Sequence, residues 1–168
     1  MLPLIAGLVI AADQFTKYLV ITGLDVYESW APVPGLARWF DVHHVTNTGA
    51  AFGLFQNGNV LLVCVGVAVS VAIVIYYRYL PGGQWLVRLS LGLQLGGALG
   101  NLIDRLRLGH VIDFLDVHIW PVFNLADSAI VCGVALLVLL LLLEDRSRRL
   151  AMEGTGASSS AGEQVRTD

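Results

Sequence analysis

A chain of 168 residues that is 56% hydrophobic and only 14% charged, with a mean hydropathy of +0.71, carries more apolar surface than one water-soluble core can hide, which excludes an ordinary soluble globular protein. The formal net charge of -3, without a basic stripe, gives no footing for a nucleic-acid partner. Cys64 and Cys132 lie in apolar stretches without CxxC or zinc-ligand spacing, which excludes a disulfide framework and leaves them as small packing residues.

Crossing a hydrocarbon layer ~30 Å thick takes about 20 helical residues. Residues 2–22, 60–77, 85–106 and 123–143 qualify, so the sequence predicts an all-α membrane protein with four transmembrane helices. The first stretch has no basic start and carries Asp13 and Lys17 in its outer half, which marks a retained helix rather than a cleaved leader. Four positions apart, those two share a helix face and read as a structural ion pair. Residues 23–59 alternate turn formers with β-prone runs such as Trp39-Phe-Asp-Val-His-His-Val45, predicting a small extracytoplasmic sheet with Trp30 and Trp39 at interfacial depth. Between the second and third spans, Arg78 and Arg88 flank Pro81, Gly82 and Gly83, a tight basic turn that belongs in the cytoplasm. In the third span Gly92, Gly96 and Gly100 recur every four residues and open one face to close helix packing. Arg146, Arg148 and Arg149 follow the fourth span, so both termini are expected in the cytoplasm. Residues 1–143 form the membrane domain, and residues 144–168, lacking apolar period, are expected as a disordered cytoplasmic tail.

Ionisable groups inside a membrane span cost about 2.5 kcal/mol or more and so demand a partner, a wet cavity or a function. Here they gather at one face, with two asparagines among them: Asp13 and Lys17, then Asn101, Asp104 and Arg105, then Asn124 and Asp127 all fall in outward parts of spans. A fold-back around Pro121 brings Asp113 and Asp127 to the same interface. Two adjacent carboxylates cannot both ionise cheaply, so one stays protonated while the other is charged, which supplies a general acid and a general base together. From spacing alone, a proton relay in a transporter accounts for the pair about as well, and a non-catalytic scaffold accounts for the glycine face and basic loops. Neither a GxSxG nucleophile nor a GxGD signature is present. His43, His44, His110 and His118 sit in outer loops without HExxH spacing, so no metal site is expected.

Five motifs, taken in order, resemble the lipoprotein signal peptidase family over residues 10–143: Asp13-Gln-Phe-Thr-Lys17, Asn47-Thr-Gly-Ala-Ala-Phe52, Gly96-Gly-Ala-Leu-Gly-Asn-Leu-Ile-Asp-Arg105, Val111-Ile-Asp-Phe114 and Phe123-Asn-Leu-Ala-Asp127. The resemblance implies an aspartic endopeptidase of the bacterial cytoplasmic membrane, acting at the extracytoplasmic face. It implies a diacylglyceryl-modified prolipoprotein substrate cut before the lipidated cysteine. It makes Asp113 and Asp127 the catalytic pair and leaves Asp104 and Asp116 as supporting groups. Asn47, Asn101, Arg105 and Asn124 match polar family positions beside the active site, where they either bind substrate or only brace the helices; binding is favoured for Asn101 and Arg105, and the two readings stand level for Asn47 and Asn124. Trp30, Trp39 and Phe52 are expected to cover bound lipid. No cofactor is implied, the partners are prolipoproteins and membrane lipids, and the enzyme is expected as a monomer.

Overall fold

Pro3 stands at the start of an apolar run, where its missing N–H leaves no helical bond unmade, and the first helix, α1, runs Leu2–Gly23. The computed structural model describes residues 1–49 and 58–164, with side chains of the last helix as far as Arg146. Within them follow β1 (Ser29–Trp30), a 3-10 turn (Pro34–Leu36), β2 (Asp41–Asn47), α2 (Asn59–Tyr79), α3 (Trp85–Leu108), β3 (Val111–Asp116) and α4 (Leu125–Gln164). Four helices, Leu2–Gly23, Asn59–Tyr79, Trp85–Leu108 and Leu125–Arg146, are long and apolar enough to cross a membrane. They match the expected spans to within a few residues. α4 continues to Gln164, through the segment that the sequence sets apart as a tail.

α3 is the central helix, packed against α1, α2 and α4. Its glycine row faces α1: a methyl on Gly92 would meet Ile5, one on Gly96 would meet Val9 and the Ala6 carbonyl, and one on Gly100 would meet Asp13. Backbones lie this close only where no side chain intervenes. Gly97, one residue off that row, lies against Ala126 and Ile130 of α4 in the same way. Cys64 and Cys132 differ from expectation, because both stand on exposed helix faces rather than in packed seams.

Two apolar clusters bracket a polar one. Leu2, Ala6, Ile73, Leu91 and Leu95 close the half of the bundle at the start of α1. Val20, Ile112 and Phe114 close the junction between the end of α1 and β3.

The sheet is antiparallel in the order β1-β2-β3. β1 and β2 come from the segment where a sheet is expected, but β3 is supplied by the connection between α3 and α4, which the sequence reads as a loop. Opposite Phe114, β2 carries an extra residue: pairing shifts between Val42 with Leu115 and Val45 with Asp113, the two-against-one geometry of a bulge. His44 at that bulge is buried, with Nδ1 3.0 Å from the Leu24 carbonyl. On the sheet, His43 lies 3.6 Å from Asp116, and His118 lies 3.5 Å from Asp116 and 3.7 Å from Asp41.

Candidate active site

Local structure at the end of α3 and the start of α4 sets the site. α3 stops at Gly109, whose φ of 81° is left-handed and whose N–H is donated to the Arg105 carbonyl. The chain turns directly into β3, so Asp113 follows the helix end by one short strand. It then returns beside β3, where Phe123 exchanges backbone hydrogen bonds with Leu115. Asn124 thereby arrives next to Asp113.

α4 begins with a reciprocal cap. The Asp127 N–H donates to Asn124 Oδ1 at 2.9 Å, and the Asn124 N–H donates to Asp127 Oδ2 at 3.3 Å. This is the capping-box arrangement, with Asn at the N-cap and an acid three positions on. A further N–H of the first turn, that of Ala126, donates to Asp13 Oδ1 of α1 at 3.0 Å, satisfying another donor that a helix start leaves open. Asp127 is therefore held by its own helix terminus, whose dipole favours an anion.

The two acids are joined by amides. Asn124 Nδ2 donates to Asp113 Oδ1 at 2.7 Å and to Asn101 Oδ1 at 3.1 Å. Asn101 Nδ2 donates to Asp127 Oδ1 at 2.7 Å, and Asn47 Nδ2 donates to Asp113 Oδ2 at 2.8 Å. Strand β2, helix α3 and the start of α4 each contribute one asparagine to this set. Asp113 is 2% exposed, and burial pushes its carboxyl up to about 6; Asp127 adds to the rise, while the Asn47 and Asn124 amides and the Lys17 charge pull against it. A group titrating there changes protonation close to neutral pH, as proton-transfer chemistry requires.

Both acids open onto a cleft of about 600 Å³ lined also by Asn47, Asn101, Arg105 and Trp120, with Ile130 and Val131 on its α4 wall. Arg105 donates to the Gly49 carbonyl at 3.3 Å and to the Asn101 carbonyl at 3.5 Å, which holds its guanidinium at the cleft wall. Asn124 does not line the cleft. It is fully buried, and its amide is engaged by Asp113, Asn101 and Asp127.

Beneath the asparagines lies Lys17, 2% exposed. Its ammonium is 2.9 Å from Asp13 Oδ2, as the four-residue spacing suggests, and 2.7 Å from Asp104 Oδ2. Asp104 also accepts from Gln14 Nε2 at 2.8 Å and from the Ile112 N–H at 3.3 Å. The sequence signals for Asp104 and Gln14 are weak: an acid beside an arginine looks like a solvated helix end, and the partner of Asp104 lies on another helix. Of the aromatics expected to cover the site, Trp30 and Trp39 stand outside the cleft and Phe52 lies outside the described residues, whereas Trp120 is on the cleft wall. Among the described residues, no three of His, Cys, Asp and Glu converge as metal ligands.

Residues 5–143 match the family model described as signal peptidase (SPase) II. The chain is 54% identical over 140 residues to the lipoprotein signal peptidase of Moorella thermoacetica, covering 83% of this chain and 91% of that protein. It is 45% identical over 146 residues to the lipoprotein signal peptidase of Halothermothrix orenii, covering 87% and 98%. Among solved structures, a bacterial membrane enzyme determined by the in meso method at 2.3 Å resolution superposes with a TM-score of 0.80 at 30% identity, over 86% of this chain and 88% of that one.

Proposed function

The chain belongs to the signal peptidase II family and removes signal peptides from prolipoproteins, and we propose that Asp113 and Asp127 carry the chemistry, cutting before a cysteine that bears a diacylglyceryl group. The observation that carries this reading is the pairing itself: two acids on different elements share one cleft and are joined through the Asn101 and Asn124 amides.

In this reading one ionised aspartate takes a proton from a water molecule as that water attacks the scissile carbonyl. The protonated partner donates to the carbonyl oxygen, and a proton then reaches the departing amine as the C–N bond breaks. Asn47, Asn101 and Arg105 offer amide and guanidinium donors along the cleft to the substrate backbone and to lipid ester carbonyls. Asn124, buried beneath the acids, acts on them rather than on substrate. The Ile130 and Val131 wall suits acyl chains that arrive from the bilayer.

The basic turn at Arg78 and Arg88 and the arginines after the fourth span support cytoplasmic termini, with the acids at the extracytoplasmic face where water meets lipid. Residues 144–168 follow as a cytoplasmic tail outside the family match, and the catalytic unit is a monomer.

The test is cleavage of a diacylglyceryl-modified prolipoprotein by purified protein in detergent, beside folded Asp113→Asn and Asp127→Asn variants. Wild type should cut before the lipidated cysteine and both variants should be inactive. Normal activity in either variant refutes the aspartyl pair.

A further inference from the structure

We propose that Lys17 is a positioning residue for the reaction, with Asp13 and Asp104 as its anchors: its ammonium fixes the Asn101 amide so that the NH₂ end, not the oxygen, faces Asp127. The proposal rests on the aspartyl pair argued above and adds a residue that touches neither acid.

An asparagine amide fits its cavity in two orientations that exchange oxygen and nitrogen. For Asn101 the surroundings decide between them. Lys17 Nζ lies 3.1 Å from Asn101 Oδ1, and Asn124 Nδ2 donates to the same oxygen, also at 3.1 Å. Lys17 carries only donors, so the opposite orientation would set Asn101 Nδ2 against an ammonium and an amide NH₂ while presenting its oxygen to the Asp127 carboxylate. Both contacts would be repulsive.

Asn124 alone is a weaker determinant. Lys17 adds a full charge on a side chain only 2% exposed, where such a contact is stronger than at a surface.

The ammonium must itself be held. Asp13 Oδ2 and Asp104 Oδ2 bracket it at 2.9 and 2.7 Å, and all three side chains are at most 4% exposed. Neither anchor is idle elsewhere: Asp13 accepts the Ala126 N–H one residue before Asp127, and Asp104 accepts the Ile112 N–H one residue before Asp113. The pair that neutralises Lys17 is thus tied to the backbone next to each acid. A merely structural ion pair needs none of these links to the asparagines.

The test uses the purified full chain with a diacylglyceryl-modified prolipoprotein peptide in detergent. Lys17→Met combined with Asp104→Asn removes one positive and one negative charge, so the buried cluster keeps its net charge. If the double variant folds, kcat should fall roughly tenfold or more with KM within about twofold, the signature of a loss confined to the transition state. On an Asn101→Ala background the same two substitutions should change kcat by less than about twofold, because a residue acting through Asn101 has nothing left to orient. Lys17→Arg keeps the charge on a planar fork that cannot reproduce the three contacts, and should fold with reduced kcat.

Wild-type kcat in a folded double variant or in Lys17→Arg overturns the proposal. So do losses that multiply on the Asn101→Ala background, and so does failure of both Lys17 variants to fold, which would confine the residue to folding. An inert wild type, or an active Asp113→Asn variant, removes the aspartyl reading beneath it and is recognised separately, since neither measurement involves Lys17.

Discussion

Replacing Gly97 with alanine tests how closely the α3–α4 seam controls the chemistry. A methyl at Gly97 would stand 2.7 Å from Ile130 Cγ1, with the Ala126 carbonyl oxygen also inside contact distance. Ordinary contact begins at 3.4 Å, so the helices must separate by about 0.7 Å or more at this point, and a backbone oxygen cannot rotate away as a side-chain tip can. Ala126 immediately precedes Asp127, so the displacement is delivered to the acid. Misplacement of a reacting group by about 1 Å costs on the order of a hundredfold in rate, while overpacking of this kind destabilises by roughly 1–3 kcal/mol. Gly97→Ala should therefore lose roughly a hundredfold in kcat while enough folded protein remains to assay. Gly66→Ala is the control, because its methyl would meet only Leu102 side-chain atoms at 3.7 Å or beyond, and alanine is the better helix former by about 1 kcal/mol. Initial rates on the lipidated peptide, measured at equal folded concentration, decide the matter. A Gly97→Ala enzyme with wild-type kcat would falsify the view that this seam positions Asp127.

If ionised Asp113 is the base, a carboxyl titrating near 6 should make kcat/KM about tenfold lower at pH 5 than at pH 7; a profile that is flat down to pH 5 contradicts that role. Asn47→Ala removes a donor to the ionised form, so this limb should move to higher pH. Stability carries the matching sign: the folded value exceeds the ordinary 3.8, so the contribution of Asp113 is full below 3.8 and is lost as pH rises through about 6, measurable as a declining Tm across that window. Asn124→Ala should cost about 1 kcal/mol through the lost cap and reduce kcat well beyond that effect, since it also unlinks Asp113 from Asn101; intact kcat in a destabilised enzyme would make Asn124 a cap alone. Gly109→Ala forces an L side chain to the left-handed φ of 81° and should destabilise by about 1–2 kcal/mol in chemical denaturation, whereas an unchanged midpoint would mean that the α3 stop tolerates another turn.

The spans and the gathering of polar groups at one face were legible because hydropathy, helix length and arginine placement act locally along the chain. β3 was not, for a physical reason: Val111, Ile112, Asp113 and Phe114 are all buried, so the strand lacks the alternation that marks a half-exposed one, and a short doubly buried run cannot be told from other apolar segments by period. Asn124 illustrates a signal that was present but read differently. Its spacing to Asp127 ahead of an apolar run is a helix-start signature, yet the family resemblance alone leaves it open between a substrate ligand and a helix brace. Asp104 and Gly97 required the tertiary structure, since the partner of each lies on a different helix.

What the three-dimensional arrangement adds is a reason for so many asparagines. Each of the four carboxylate oxygens of Asp113 and Asp127 accepts from an amide nitrogen: Asn124 and Asn47 side chains on the first acid, the Asn101 side chain and the Asn124 backbone on the second. A cation in those positions would hold its acid ionised throughout, which the proton exchange proposed for the pair cannot tolerate. Amides supply direction and hydrogen bonds without a net charge, so either acid can gain or lose a proton while its geometry persists. The positive charge that is present deep in the site, on Lys17, stands behind the Asn101 amide and between Asp13 and Asp104. In the proposed arrangement Lys17 orders the site from behind an amide, and its charge favours the ionised form of Asp113 only against the larger opposing effect of burial.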